Sequence, residues 1–401
     1  MPGASLHIGN QVVIEKQDFG KLFDMLAGMG YRIVGPTVRN GAIVYDELTS
    51  VDELPVAWTD EQEKSVYRLK EHKEKAYFDY GPGPQSWKRF LHPPVARLWQ
   101  ATREDGGFQT GTGDGETPKL AFIGVRPCDL HAMAIQDKVL ADGERQDSSY
   151  SLRRRNAFVV AVNCRKAGGT CFCASMGTGP RATVGFDLAL TEVIEGERHY
   201  FVVEVGTEKG AEILSRIPHR RAGEQEIAAA RDSVEQAARQ MGRELNTSGI
   251  KELLYQNLEH PRWDAIAERC LTCGNCTMVC PTCFCTTVED YTDLTGKHAE
   301  RRRKWDSCFT TDFSYIHGGS VRPSAKSRYR QWLTHKLGSW IDQFGTSGCV
   351  GCGRCITFCP AGIDITEEVR AIRSEKQAEK KVTAAETERP PETSAYQPHL
   401  S

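Results

Sequence analysis

The chain has 401 residues and a formal net charge of −2, so no global field calls for nucleic acid or an anionic membrane as partner. Its longest apolar run, Ala157-Phe158-Val159-Val160-Ala161-Val162, is strand-sized and far short of the roughly 18 residues of a membrane span. The opening MPGASLHIGNQ has no basic segment followed by an apolar one, and fifteen cysteines, an odd number, fit a reducing compartment better than a disulfide framework, so a cytoplasmic protein of two or three domains is expected.

In chain order, residues 15–29 set Phe19, Leu22, Phe23 and Leu26 at helical steps, punctuated by Gly28 and Gly30. A short strand over 31–34 and a second at Ala42-Ile43-Val44-Tyr45 are joined by a turn at Asn40-Gly41. Gly28-x-Gly30-x4-Gly35 has the wrong spacing for a dinucleotide loop and follows a helix rather than a strand. Residues 60–76 read as a charged surface helix or an extended ribbon, and Pro82, Pro84, Pro93 and Pro94 break the structure after them. The Gly-rich, polar residues 104–118 read as a flexible surface loop, because no Lys-Ser/Thr follows the glycines as a P-loop requires.

Leu120-Ala121-Phe122-Ile123-Gly124-Val125 then reads as a buried strand, Arg126-Pro127-Cys128-Asp129 as a turn opening a helix to about residue 140, and 158–162 as a second buried strand ending at Asn163-Cys164. Strand–helix–strand predicts a parallel α/β unit with Cys128 and Cys164 at the carboxyl edge, where open α/β sheets place ligands. Cys171-Phe172-Cys173 comes next, among small residues that let backbone approach a bulky inorganic group. Cys128, Cys164, Cys171 and Cys173 thus form a loose constellation, candidate ligands of a third cluster, against the alternative of buried free thiols. Residues 186–205 read as a hairpin. Residues 208–217 and 224–245 read as helices, with helix continuing through 253–258 to Pro261 as a connection to the cysteine-rich C-terminal part.

The strongest signal is a pair of cysteine runs, Cys270-x2-Cys273-x2-Cys276-x3-Cys280-Pro281 and Cys349-x2-Cys352-x2-Cys355-x3-Cys359-Pro360. Each has the spacing that wraps backbone around a 4Fe-4S cube, and the cysteine before proline ligates the partner cube in two-cluster ferredoxins. That pattern assigns Cys270, Cys273, Cys276 and Cys359 to one cluster, and Cys349, Cys352, Cys355 and Cys280 to the other. Zinc takes two pairs of ligands and has no use for a third cysteine at the same step. The runs are 68 residues apart, and the insert holds Cys283-Phe284-Cys285, Cys308, the basic run Arg301-Arg302-Arg303-Lys304 and the aromatic-basic segment 327–332. The basic run reads as a solvated face, against the alternatives of an acidic partner or an offset to cluster charge, and RNA binding is disfavoured by the net-acidic chain. Cys283, Cys285 and Cys308 stay open between further ligands, an alternative third set and plain packing.

The expected fold class is α+β. An α/β domain over 1–222 carries the third-cluster candidates, a helical connection spans 223–262, a mostly helical ferredoxin-like dicluster domain with a long insert spans 263–374, and a tail over 375–401 lacks a core pattern and reads as disordered. Cubes with four cysteine ligands have no open iron, so the chain is expected to move electrons one at a time, with no substrate site of its own and no catalytic residue.

Several motifs add a family resemblance. Gly124-Val125-Arg126-Pro127-Cys128-Asp129-Leu130, Asn163-Cys164, Thr170-Cys171-Phe172-Cys173 and Met176-Gly177-Thr178-Gly179-Pro180 are similar to segments of the iron–sulfur β subunit of soluble NAD(P)-linked nickel–iron hydrogenases (sulfhydrogenases), and equally of the corresponding iron–sulfur subunit of anaerobic sulfite reductase. Cys280-Pro281-Thr282-Cys283-Phe284-Cys285, Trp305-Asp306-Ser307-Cys308, Phe344-Gly345 and Cys349-Val350-Gly351-Cys352-Gly353-Arg354-Cys355 agree, and the likeness runs from about residue 30 to 370. The resemblance implies a cytoplasmic hetero-oligomer. In it a flavoprotein subunit exchanges electrons with NAD(P)H, this chain relays them, and a catalytic partner, a hydrogenase or a sirohaem reductase, uses them. It also implies that Cys128, Cys164, Cys171 and Cys173 are cluster ligands. An iron–sulfur redox sensor is the reading from a different class, and no helix-turn-helix or basic recognition face supports it.

Overall fold

In a computed structural model that describes residues 5–113, 117–144 and 146–374, the N-terminal half is built on an eight-stranded mixed sheet. From edge to edge its strands are Arg220–Arg221, Gln11–Glu15, Arg198–Val205, Leu188–Glu195, Phe158–Val162, Leu120–Val125, Arg32–Arg39 and Ala42–Leu48. The centre is parallel: Leu120–Val125 pairs with Arg32–Arg39 and with Phe158–Val162, which pairs in turn with Leu188–Glu195. The outer pairings are antiparallel. Both central strands are buried along their whole length, as unbroken apolar runs require of a sheet covered on both faces. Helices Gly20–Gly28 and Glu208–Leu214 cover one face, packing Leu22, Leu26 and Ile213 with Ile33, Ile123 and Val160. Helices Pro127–Leu140 and Ser148–Asn156 cover the other, packing Leu130, Met133 and Tyr150 with Phe122, Val125 and Val159.

The expected strand–helix–strand unit is therefore present, with Ser148–Asn156 added before its second strand. Gly124 shifts the register at the end of the first strand. Its φ is +86°, and a Cβ there would lie 3.1 Å from Phe78 and 3.2 Å from Pro36, so only glycine fits. The bent strand runs directly into Arg126 and a helix with Pro127 at its first position, where a missing N–H costs nothing. Cys128 is thereby fixed in the first turn at the carboxyl edge of the sheet.

Several elements differ from the sequence expectation. The helix expected over 15–29 begins at Gly20, after strand Gln11–Glu15 and a short turn at Lys16–Asp18. Residues 60–76 are the ribbon alternative, a hairpin of Trp58–Glu63 and Val66–Glu71. Within 104–118, residues 107–112 are paired backbone, because Gly107–Thr112 returns along Val95–Glu104. Helix Glu224–Arg239 stops short of 245 because the chain must pass close to Gly169: a Cβ on Gly242 would lie 1.9 Å from the Gly169 carbonyl oxygen.

The C-terminal part is also less helical than expected. Its insert forms a hairpin, Thr286–Thr292 with His298–Trp305, and the second strand pairs with Val95–Glu104 of the N-terminal half. The four strands make one sheet in the order Thr286–Thr292, His298–Trp305, Val95–Glu104, Gly107–Thr112. Around the cysteine runs, Leu254, Trp263, Ile266, Leu333, Leu337, Ile356, Ile365 and Ile372 form one core, and each large side chain there contributes about 1.5–3 kcal/mol by leaving water. Helix Ala325–Thr334 opens on a reciprocal cap: Ser324 Oγ accepts from the Ser327 N–H and Ser327 Oγ from the Ser324 N–H. It widens into a π turn at His335–Ser339, and the next helix, Trp340–Phe344, ends at the left-handed Gly345. No helix among the described residues is long and apolar enough to cross a membrane. The tail expectation for 375–401 lies outside the described residues.

Candidate iron–sulfur centres

The two cysteine runs fold alike. In each, a glycine at positive φ, Gly274 at +71° or Gly353 at +76°, precedes a four-residue helix, Asn275–Met278 or Arg354–Thr357. Only that reversal lets the third cysteine of each run, Cys276 or Cys355, turn back beside the first two.

Cys270, Cys273 and Cys276 line one cavity together with Cys355 and Cys359 from the other run. Phe309, Tyr329, Trp332, Ile363 and Ile365 supply an apolar wall. Tyr329 Oη and Trp332 Nε1 are buried and have no hydrogen-bond partner among the described residues. A buried donor left unpaired costs about 1–3 kcal/mol, so this cavity suits a guest that brings acceptors, as the sulfides of a cube do. At its mouth Cys273 is exposed and Leu271 is 65% exposed.

Cys280 leaves its own run and lies beside the other. Lys336 Nζ lies 3.3 Å from Cys280 Sγ, 3.6 Å from Cys283 Sγ and 3.1 Å from the carbonyl oxygen of Gly348, the residue before Cys349. Thr282 Oγ1 donates to the same carbonyl at 2.7 Å. Burial pushes the Cys349 thiol up to about 12 and raises those of Cys352 and Cys355. Cys280 goes the opposite way, well below an ordinary thiol, because the Cys283 thiol hydrogen-bonds to it and the Lys336 ammonium stands beside it. Metal binding must expel the protons of the neutral thiols and so is favoured as pH rises.

The third constellation closes onto the second run. The Phe172 N–H donates to the Gly351 oxygen at 2.8 Å, and Thr178 Oγ1 donates to the Val350 oxygen at 2.7 Å. Cys171 Sγ lies 3.8 Å from the Cys352 carbonyl oxygen, while Cys128 and Cys173 share a small core with Val350 and Cys352. No side chain fits between these loops: a Cβ on Gly351 would lie 2.7 Å from the Cys173 Cα, and one on Gly353 2.4 Å from Thr170 Oγ1. Cys164 joins the set from the end of strand Phe158–Val162, its N–H bonded to the Pro180 oxygen and its sulfur 3.9 Å from Arg126 Nη1. Arg126 is itself fixed by the Phe78 and Tyr80 carbonyls at 2.8 Å each. Burial raises the thiols of all four cysteines, Cys171 to about 12.

Cys285 and Cys308 flank the base of the insert hairpin, which closes through the Asp306 N–H and the Cys285 oxygen at 2.8 Å, and Cys283 sits against Cys280. Among the described residues no three cysteine sulfurs lie within 4.8 Å of one another. A tetrahedral zinc, with bonds of roughly 2.3 Å, would hold its sulfurs about 3.8 Å apart. Among the described residues no three of the sulfurs stand at that spacing, and the all-thiolate composition of the sets suits a cube. Sequence reasoning missed the buried cations around the sulfurs. Arg126 and Arg354 lie inside the motifs, but Lys88 and Lys336 carry no signal in a linear sequence.

Donor set and loop geometry define an iron–sulfur protein with a 4Fe-4S dicluster domain, and residues 269–363 match the family of that description. Over 365 residues, 90% of this chain and 98% of the relative, the sequence is 32% identical to sulfhydrogenase 2 subunit beta of Pyrococcus furiosus. The chain belongs to this family of sulfhydrogenase beta subunits. It is an electron-transfer, hydrogenase-type subunit, which implies a multi-subunit complex.

Proposed function

We propose that this chain is the electron-relay subunit of a cytoplasmic oxidoreductase complex, set between a flavoprotein subunit that oxidises NAD(P)H and a nickel–iron hydrogenase module. Three cubes would be held: one by Cys270, Cys273, Cys276 and Cys359, one by Cys349, Cys352, Cys355 and Cys280, and one by Cys128, Cys164, Cys171 and Cys173. Bound there, they supply reversible one-electron transfer. The observation that carries this reading is adjacency. Cys355 borders the first cavity, and Cys352, two residues on from Val350 in the same loop, touches the Cys171–Cys173 segment.

The chain's own residues do the rest. The apolar wall at Phe309, Trp332 and Ile363 keeps water from the first centre. The Ile363 N–H points at Cys359 Sγ from 3.4 Å, and the Gly351 N–H at Cys349 Sγ from 3.5 Å, which steadies thiolate charge. Arg126 and Lys336 place cations at Cys164 and Cys280. The line of centres reaches the surface at both ends, at exposed Cys273 and at a cleft lined by Asn163, Gly179 and Pro180 beside Cys164. The test is anaerobic purification of the native complex with assays for iron, nickel, flavin and sirohaem. Nickel and flavin are expected. Sirohaem without nickel would assign the chain to a sulfite reductase instead, and a monomeric chain with neither would favour a sensor.

A further inference from the structure

Lys336 is the most deeply buried ammonium beside any of the sulfurs, at 3% exposure, and it sits in the single π turn among the described residues, His335–Ser339. Such turns displace a side chain from the regular helical path and are frequent at functional positions. Its Nζ reaches Cys280 Sγ at 3.3 Å, Cys283 Sγ at 3.6 Å, Thr282 Oγ1 at 3.1 Å and the Gly348 oxygen at 3.1 Å. The rings of Trp332 and Trp340 flank it, with centroids at 5.9 and 5.7 Å. No carboxylate pairs with it among the described residues. Burying an ammonium without a counter-charge costs several kcal/mol, so the negative charge it needs must come from sulfur.

The surroundings are one-sided. Lys88, also buried, donates to the Cys283 oxygen at 3.0 Å and lies 3.8 Å from the centroid of the Trp305 ring, which adds a second cation on the Cys280 side. The cavity of Cys270, Cys273, Cys276 and Cys359 has no lysine or arginine in its lining. Reduction adds one negative charge to a cube. A fixed cation within hydrogen-bond reach of a ligand sulfur stabilises the reduced state, and in a low-dielectric site the effect is large.

We propose that Lys336 sets a potential step between the two dicluster centres, raising the potential of the one that Cys280 ligates. The inference rests on the cluster reading above. It makes Lys336 a tuning residue that acts through Cys280 and favours residence of the electron on the inner centre over the one that opens at Cys273.

The experiment is an anaerobic redox titration followed by electron paramagnetic resonance on the full chain, wild type against Lys336→Met and Lys336→Gln, with iron per chain measured for each. With iron content unchanged, one signal is expected to shift so that its reduced-to-oxidised ratio at fixed potential falls at least tenfold, about 59 mV for a one-electron couple. The remaining signals should stay in place. Unchanged midpoints at full iron content overturn the proposal and leave the cluster reading intact. Loss of one cube from both variants also overturns it, because Lys336 would then be needed for assembly rather than for potential. Iron-free wild-type protein would instead sink the cluster reading itself.

Discussion

Asp129 and Arg354 form a bidentate ion pair, 2.8 Å at each contact, in which both side chains are almost wholly buried. One comes directly after Cys128 and the other lies between Cys352 and Cys355, so a single pair ties the N-terminal cysteine set to the C-terminal run. A buried pair adds little net stability, but removing one partner strands a charge at a cost of about 3–5 kcal/mol. Arg354→Met and Asp129→Leu are each expected to lose that much in anaerobic denaturant unfolding, and the double variant to lose less than either. Additive losses would show that the two residues are not energetically coupled.

Cys128→Ser tests the third centre. Anaerobically isolated protein with three cubes holds about twelve irons per chain and with two about eight. The variant is expected to lose about four irons and to keep the spectrum of the dicluster domain. Unchanged iron content would remove Cys128 from the ligands.

Gly351→Ala should be as damaging as losing a ligand, although Gly351 offers sulfur only its backbone N–H, to Cys349 Sγ. Its φ of +64° disfavours a side chain, and the new Cβ would press on the Cys173 backbone at 2.7 Å. The cost is roughly 2 kcal/mol or more. The iron loss should fall on the second and third centres and spare the first. Full stability and iron content would show that the two loops separate more easily than their contact implies.

His92 gives a pH dependence. It is 1% exposed, and neither ring nitrogen has a partner among the described residues. Burial first, then the Arg303 charge, holds it down at about 4. Unfolded, it would titrate near 6.5. The fold therefore keeps it neutral, so its stabilising effect is complete above pH 6.5 and disappears as pH falls towards 4, by up to about 3 kcal/mol. His92→Phe should flatten the stability curve across that window relative to wild type. Parallel curves would place the acid sensitivity elsewhere.

What could be read from the sequence depends on how local the determining physics is. Strands Leu120–Val125 and Phe158–Val162 announce themselves because burial on both faces demands unbroken apolar runs. The cysteine runs do so because ligand spacing is a property of a few consecutive residues. Gly107–Thr112 hides, since it is largely exposed and shows no alternation to detect. The pairing of Val95–Glu104 with His298–Trp305 hides for another reason: nothing near residue 95 encodes a partner about two hundred positions away. Lys336 is a single polar residue in a helix until the turn around it brings it onto sulfur.

The contact between Cys171 and Cys352 spans 181 residues. At about 5–20 residues per second, the ribosome delivers the second partner roughly ten to forty seconds after the first. Throughout that interval Cys128, Cys164, Cys171 and Cys173 wait without the loop that closes over them. On the proposed ligand set, a cube delivered in that interval would meet an unfinished cradle, so oxygen present during synthesis should harm this protein more than oxygen met after assembly.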